Sequence, residues 1–165
     1  MGRSAVHALA LAALGVAAGA GAVFAEPPPR EWDRESATAY ARQLADRAAE
    51  FHELVRKQRP DRSLLPLLKD ELDLVEQRAR HLDERSRSFA AKLAEGRGPD
   101  ETRNEWENIE TTLRDVAEHS RSEWVTQEMY RTWAQLRRVH LEIADYYGDH
   151  DVDPRLEDIR LEPPR

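Results

Sequence analysis

No cysteine occurs anywhere in the 165 residues of this chain. That absence excludes a disulfide, a thiolate metal site, a lipobox thiol and covalent attachment of a c-type haem. An exported protein without disulfides is held together by its apolar core alone, and ~140 residues can bury enough surface for that. After the first 25 residues no stretch is apolar enough to span a bilayer. Neither charge sign forms a block. The 25 Lys and Arg are interspersed with 32 Asp and Glu, for a formal net charge of −7. Such mixing suits a soluble surface and argues against nucleic-acid binding, which needs a basic patch or stripe.

The motifs of catalysis are missing too. A di-iron bundle needs Glu-x-x-His on two helices, because i and i+3 place both ligands over one core site. The residues three before His52, His81, His119 and His140 are Ala49, Arg78, Val116 and Arg137. There is no His-Glu-x-x-His zinc pattern, no Gly-rich phosphate loop and no nucleophile elbow. The chain reads as a non-enzyme.

What is present begins with a leader. A single Arg3 precedes an Ala-rich apolar run ending in Val23-Phe24-Ala25, with Pro27-Pro28-Pro29 just beyond. Small residues three before and one before a cut are what signal peptidase reads, so cleavage is expected after Ala25. The alternative is an uncleaved anchor. Loss of Arg3 brings the mature net charge to about −8. The expected organisation is a signal peptide at 1–25, a Pro-rich spacer at 26–30, a helical bundle at 31–148 and an acidic, Pro-containing tail at 149–165.

Within the bundle, apolar residues of the first segment recur at helical spacing: Ala37, Tyr40, Leu44, Ala48, Phe51 and Val55. Pro60 ends that helix. The second segment is a regular seam of Leu65, Leu68, Leu72, Val75, Ala79, Leu82, Ser86, Phe89 and Leu93. Its alternating steps of three and four predict left-handed, knobs-into-holes packing. Charged residues flank it, Asp83 and Arg85 among them. Gly96 and Pro99 then separate it from a third segment, Asp100 to Tyr147, that lacks both glycine and proline.

In that third segment one stripe holds Trp106, Ile109, Leu113 and Val116. A second, rotated away from it, holds Val125, Met129, Leu136, Val139, Ile143 and Tyr146. The lack of a glycine between them favours one unbroken helix, although Ser120 and Glu123 have capping-box spacing. The fold class is all-α: an antiparallel bundle of three long helices, or four if the chain breaks near Ser120. The three stripes satisfy one another, so the seam is expected to be internal, in a monomer or homodimer.

Three sets of side chains are candidates for a site. His52, His140 and Met129 are the axial ligands available to a non-covalent haem, although both histidines read more simply as boundary residues with one wet edge. Asp149, Asp151 and Asp153 alternate like the start of a calcium loop. Pro154 and Arg160 stand where that loop needs its glycine and its closing carboxylate, which leaves at most a loose cation site. Of the four tryptophans, Trp106 belongs to the core, while Trp32, Trp124 and Trp133 lie less clearly on a stripe and could form a contact patch.

The chain is therefore expected to bind no cofactor. It reads as a periplasmic or secreted interaction or accessory module, chaperone- or adaptor-like, with a protein partner. The alternative is a haem- or metal-binding bundle of the sensor or electron-transfer type. Intact-mass analysis of the native protein should find Glu26 at the N-terminus, within about three residues. Membrane-bound protein that retains Met1 would establish the anchor instead.

Overall fold

The computed structural model describes residues 30–57, 65–119 and 125–148, apart from the side chains of 65–68. These residues form α1 (Arg34–Lys57), α2 (Leu65–Ala94), α3 (Pro99–His119) and α4 (Gln127–Tyr147), with no strand among them. Helix α1 packs on α2 and α4, and α2 packs on α3, while α3 and α4 approach each other less closely. The result is an antiparallel bundle of four helices. No described helix is long and apolar enough to cross a membrane.

Each helix begins and ends for a local reason. Asp33 caps α1: its carboxylate accepts from the Glu35 amide at 3.1 Å and from the Ser36 hydroxyl. These bonds, the Ser36 bond foremost, hold the exposed Asp33 carboxyl below the usual carboxylate range. Helix α1 then buries an alanine-rich face, Ala37, Ala41, Leu44, Ala45 and Ala48, with Phe51 and Val55. Small side chains there let the neighbouring helices come close.

Helix α2 closes on Gly96 in the left-handed region, at φ 95°. The Gly96 amide donates to Leu93 O at 3.0 Å and the Arg97 amide to Lys92 O at 3.1 Å, the bond pattern of a Schellman cap. That positive φ is what requires glycine, since a Cβ there would meet only the mobile guanidinium of Arg34, 2.7 Å from Nη2. Pro99 then supplies the first residue of α3, where its missing N–H does no harm.

The long third segment is broken, contrary to the reading of one continuous helix. Helix α3 ends at His119 and α4 starts at Gln127. The observed N-cap is Thr126, extended at φ −83° and ψ 161°, whose side chain accepts from the Met129 amide. Ser120 and Glu123 lie outside the described residues. The rotated stripes give the reason for the break. A straight rod would aim one of them at water, whereas a turn brings both into one core.

From Leu72 onward the seam of α2 is internal, while the side chains of Leu65 and Leu68 lie outside the described residues. Val75, Ala79, Leu82, Ser86, Phe89 and Leu93 are all buried, and Leu72 packs against the core partly covered. Asp83 departs from its expected place on a charged flank. It is only 7% exposed, held between Arg87 and His52.

Since Leu82 is wholly buried, Leu82→Ala should cost ~2–5 kcal/mol through lost transfer energy and an unfilled cavity. That loss should be the same across a hundredfold range of protein concentration, about as wide as thermal melts allow. A midpoint that rises with concentration would mean that the seam meets a second chain.

Candidate functional site

The place where α3 and α4 stand apart is filled by rings. Trp106 of α3 is fully buried and lies nearly parallel to two rings of α4. His140 is 4.8 Å away at 17°, and Tyr147 is 5.2 Å away at 12°, between centroids. Seven residues of helix rise ~10.5 Å, so a single indole fits between the two α4 rings as the middle of a stack. Phe89 of α2 leans on Trp106 and Tyr147 at 5.9 and 6.1 Å.

Polar contacts fix the Tyr147 end. Its hydroxyl lies 2.6 Å from Thr102 Oγ1, which itself donates to Gly98 O at 2.8 Å. Arg103 donates to Tyr147 O at 2.9 Å and stands over the ring. Burial pushes the Tyr147 phenol up to about 12, partly opposed by the Thr102 hydrogen bond. The residues before α1 dock on the same end: Trp32 meets Tyr146 and Tyr147 edge-on, and the Arg30 amide donates to Asp145 O at 2.8 Å.

The His140 end is different. This imidazole is 2% exposed, and neither nitrogen is hydrogen-bonded. Its Nε2 lies 3.5 Å from Glu110 Oε1, within ion-pair range but too long for a good hydrogen bond. Ring stacking rather than hydrogen bonding holds it.

The other candidate ligands lie elsewhere. His52 sits between α1 and α2, with Nδ1 3.4 Å from Asp83 Oδ2. Phe51 contacts Trp133 at 5.2 Å, which puts His52 about two helical turns from His140 along the bundle. Met129 is fully buried in the first turn of α4, ~16 Å of helix rise from His140. The fold does not bring His52, His140 and Met129 together. His119 turns back to its own helix, with Nδ1 2.7 Å from Asp115 O. Among the described residues no three His, Asp or Glu side chains are placed to hold a metal ion. Asp149, Asp151 and Asp153 lie outside the described residues.

Nor do the tryptophans make an exposed patch. Trp133 is buried against Phe51, Trp32 is half-buried on the tyrosines, and Trp124 lies outside the described residues. Among the described residues the exposed large apolar side chains are Tyr130, 41% exposed, and Leu141, 37% exposed. With Ala134 and Arg137 they form a row in steps of four, three and four on the side of α4 beyond His140. Sequence reading missed this second row because the stronger inner stripe of the same helix overlies it.

No family model, curated protein or solved structure matches the chain. Its function must be read from its own residues.

The buried phenol gives a test by pH. Unfolded tyrosine releases its proton near ~10, while Tyr147 keeps its own to about 12. Its raised value means that the stability linked to this proton is fully present below pH ~10 and is lost as pH rises through the folded value. Tyr147→Phe should remove that part of the alkaline loss. At neutral pH it should cost ~1 kcal/mol, the net worth of one hydrogen bond. Phenolate absorbance and thermal melts on both proteins across the alkaline range would show it.

Proposed function

We propose that this chain is an exported, non-enzymatic interaction module, adaptor- or accessory-like, working in the periplasm or outside the cell. Its contact surface is the outward face of α4. The observation that carries this reading is a contrast between helices. The outer row of α1 is almost wholly charged, with Glu35, Arg42, Asp46, Glu50, Glu53 and Arg56 exposed. On α4 the row of Tyr130, Ala134, Arg137 and Leu141 instead carries a single charge, with Gln127, Arg131, Arg138 and Asp145 exposed beside it. Fewer charges, together with tyrosine and arginine, are what the centres of protein interfaces favour. The leader supplies the argument for export.

The alternative, a haem- or metal-binding bundle, draws on one feature: His140 is buried with neither nitrogen hydrogen-bonded. Both readings meet in one experiment. Protein purified from its native host should show no haem band and no stoichiometric metal, and should migrate in a complex larger than even the uncleaved chain of 19.0 kDa. Tyr130→Glu with Leu141→Glu should abolish that complex. It should leave the melting temperature almost unchanged, since solvent-facing substitutions stay within ~0.5 kcal/mol. A sharp haem band, or one metal per chain, would establish the alternative. A complex indifferent to both substitutions would remove α4 as the contact surface.

A further inference from the structure

We propose that Arg30, Glu31 and Trp32 form a strap that opens and closes over the end of α4, held near balance by the unsatisfied hydroxyl of Tyr146. The inference goes beyond the reading of α4's outward face and does not rest on it.

The strap's hold is specific but light. The Arg30 amide donates to Asp145 O at 2.8 Å, its guanidinium stands 4.8 Å from the centre of the Tyr146 ring, and its Nη1 lies 3.8 Å from Glu142 Oε2. Trp32 meets Tyr146 and Tyr147 edge-on at 5.6 and 6.1 Å. The Arg30 and Glu142 side chains are 44% and 41% exposed, so water screens most of their attraction. The residues before Arg30 are Pro27-Pro28-Pro29, which carry no N–H. The Arg30 bond therefore has no backbone donor just upstream to reinforce it.

One group works against closure. Tyr146 is 4% exposed, and its hydroxyl is buried without a hydrogen bond. Tyr147, the next residue, has its hydroxyl 2.6 Å from Thr102 Oγ1. Arg30 and Trp32 both lie against the Tyr146 ring, so the strap belongs to the cover that keeps water from its hydroxyl. A hydroxyl that loses water and gains no partner lowers the closed population by a factor of order 10. Ordering the three strap residues opposes closure as well.

The fold also supplies a hinge. Asp33 stays with α1: its carboxylate accepts from the Glu35 amide and the Ser36 hydroxyl, and its carbonyl accepts from the Ala37 amide at 2.9 Å. The strap can lift at the Trp32–Asp33 junction without uncapping that helix. Trp106 and Thr102 hold Tyr147 from the inner side, so α4 remains in place. Opening then bares the outer edges of two tyrosines in the last turn of α4. It makes the position of the N-terminal segment and the state of that pole one equilibrium.

Hydrogen exchange of single amides in the full chain reads the strap directly, because the Arg30 N–H is protected while it donates to Asp145 O. In the native protein it should exchange ~100-fold faster than the amides of Leu44 and Ile143, deep in α1 and α4, as a local opening requires. Tyr146→Phe removes the unsatisfied hydroxyl. It should slow the Arg30 amide ~10-fold and leave Leu44 and Ile143 at their native rates. Tyr147→Phe removes a bonded hydroxyl and should not slow it. Trp32→Ala should bring the Arg30 amide to the rate of an unstructured peptide while protection at Leu44 and Ile143 shows that the bundle is folded. An Arg30 amide as slow as the core, or one unmoved by Trp32→Ala, would make the segment a fixed part of the bundle and overturn the proposal. So would a Tyr146→Phe protein in which the Arg30 rate does not fall, or in which all three amides slow alike, since the phenol then opposes the whole fold instead of the strap.

Discussion

The spacing of α3 from α4 depends on one indole. Trp106 stands between His140 and Tyr147 and brings two helices together that otherwise make little close backbone contact. Flat rings in near-parallel contact set the separation more firmly than branched aliphatics, which can slide and repack. The rest of that end of the bundle is arranged around the same stack. Phe89 from α2 leans on it, Thr102 and Arg103 from α3 tie down Tyr147, and Trp32 covers its outer edge. A buried imidazole without hydrogen bonds is the cost of the arrangement. Such a group loses its water without recovering equivalent bonds, so packing has to outweigh that loss.

Away from the stack, charged contacts border the apolar core between the helices. Between α2 and α3, Arg78 faces Asp115, Lys92 faces Glu105, and Arg85 reaches Asn108 O and Thr112. These contacts are partly exposed, and each is worth little energy. Their use is in register, since opposite partners repeat at intervals that only one alignment of α2 and α3 satisfies. Asp83 is the exception in burial, and its position between Arg87 and His52 compensates a carboxylate that is nearly out of water.

Between α3 and α4 the described interior is filled by Trp106, Phe89 and Tyr147. The surface is uneven: α1 presents paired charges such as Arg47–Glu50 and Arg56–Glu53, while α4 presents Tyr130 and Leu141. A row of that kind weakens no helix, because α4 already has its buried face.

The sequence by itself determined the all-helical class, the buried faces of α1 and α2, and the closing glycine at 96. Those properties are local, set by apolar periodicity and by residues that only certain backbone conformations accept. Periodicity also showed the two offset stripes between 100 and 147, but the choice between a rod and a turn was not local. It depended on whether α1 and α2 could cover both stripes at once, and the tertiary structure answered with a break capped by Thr126. The same limit applied to the candidate site. Spacing put His52, His140 and Met129 near apolar faces but said nothing about which neighbour each would meet. Packing turned His52 to Asp83, stacked His140 on Trp106 and left Tyr130 and Leu141 at the surface. A helical sequence fixes which residues share a face, whereas only the docking of helices decides what that face meets.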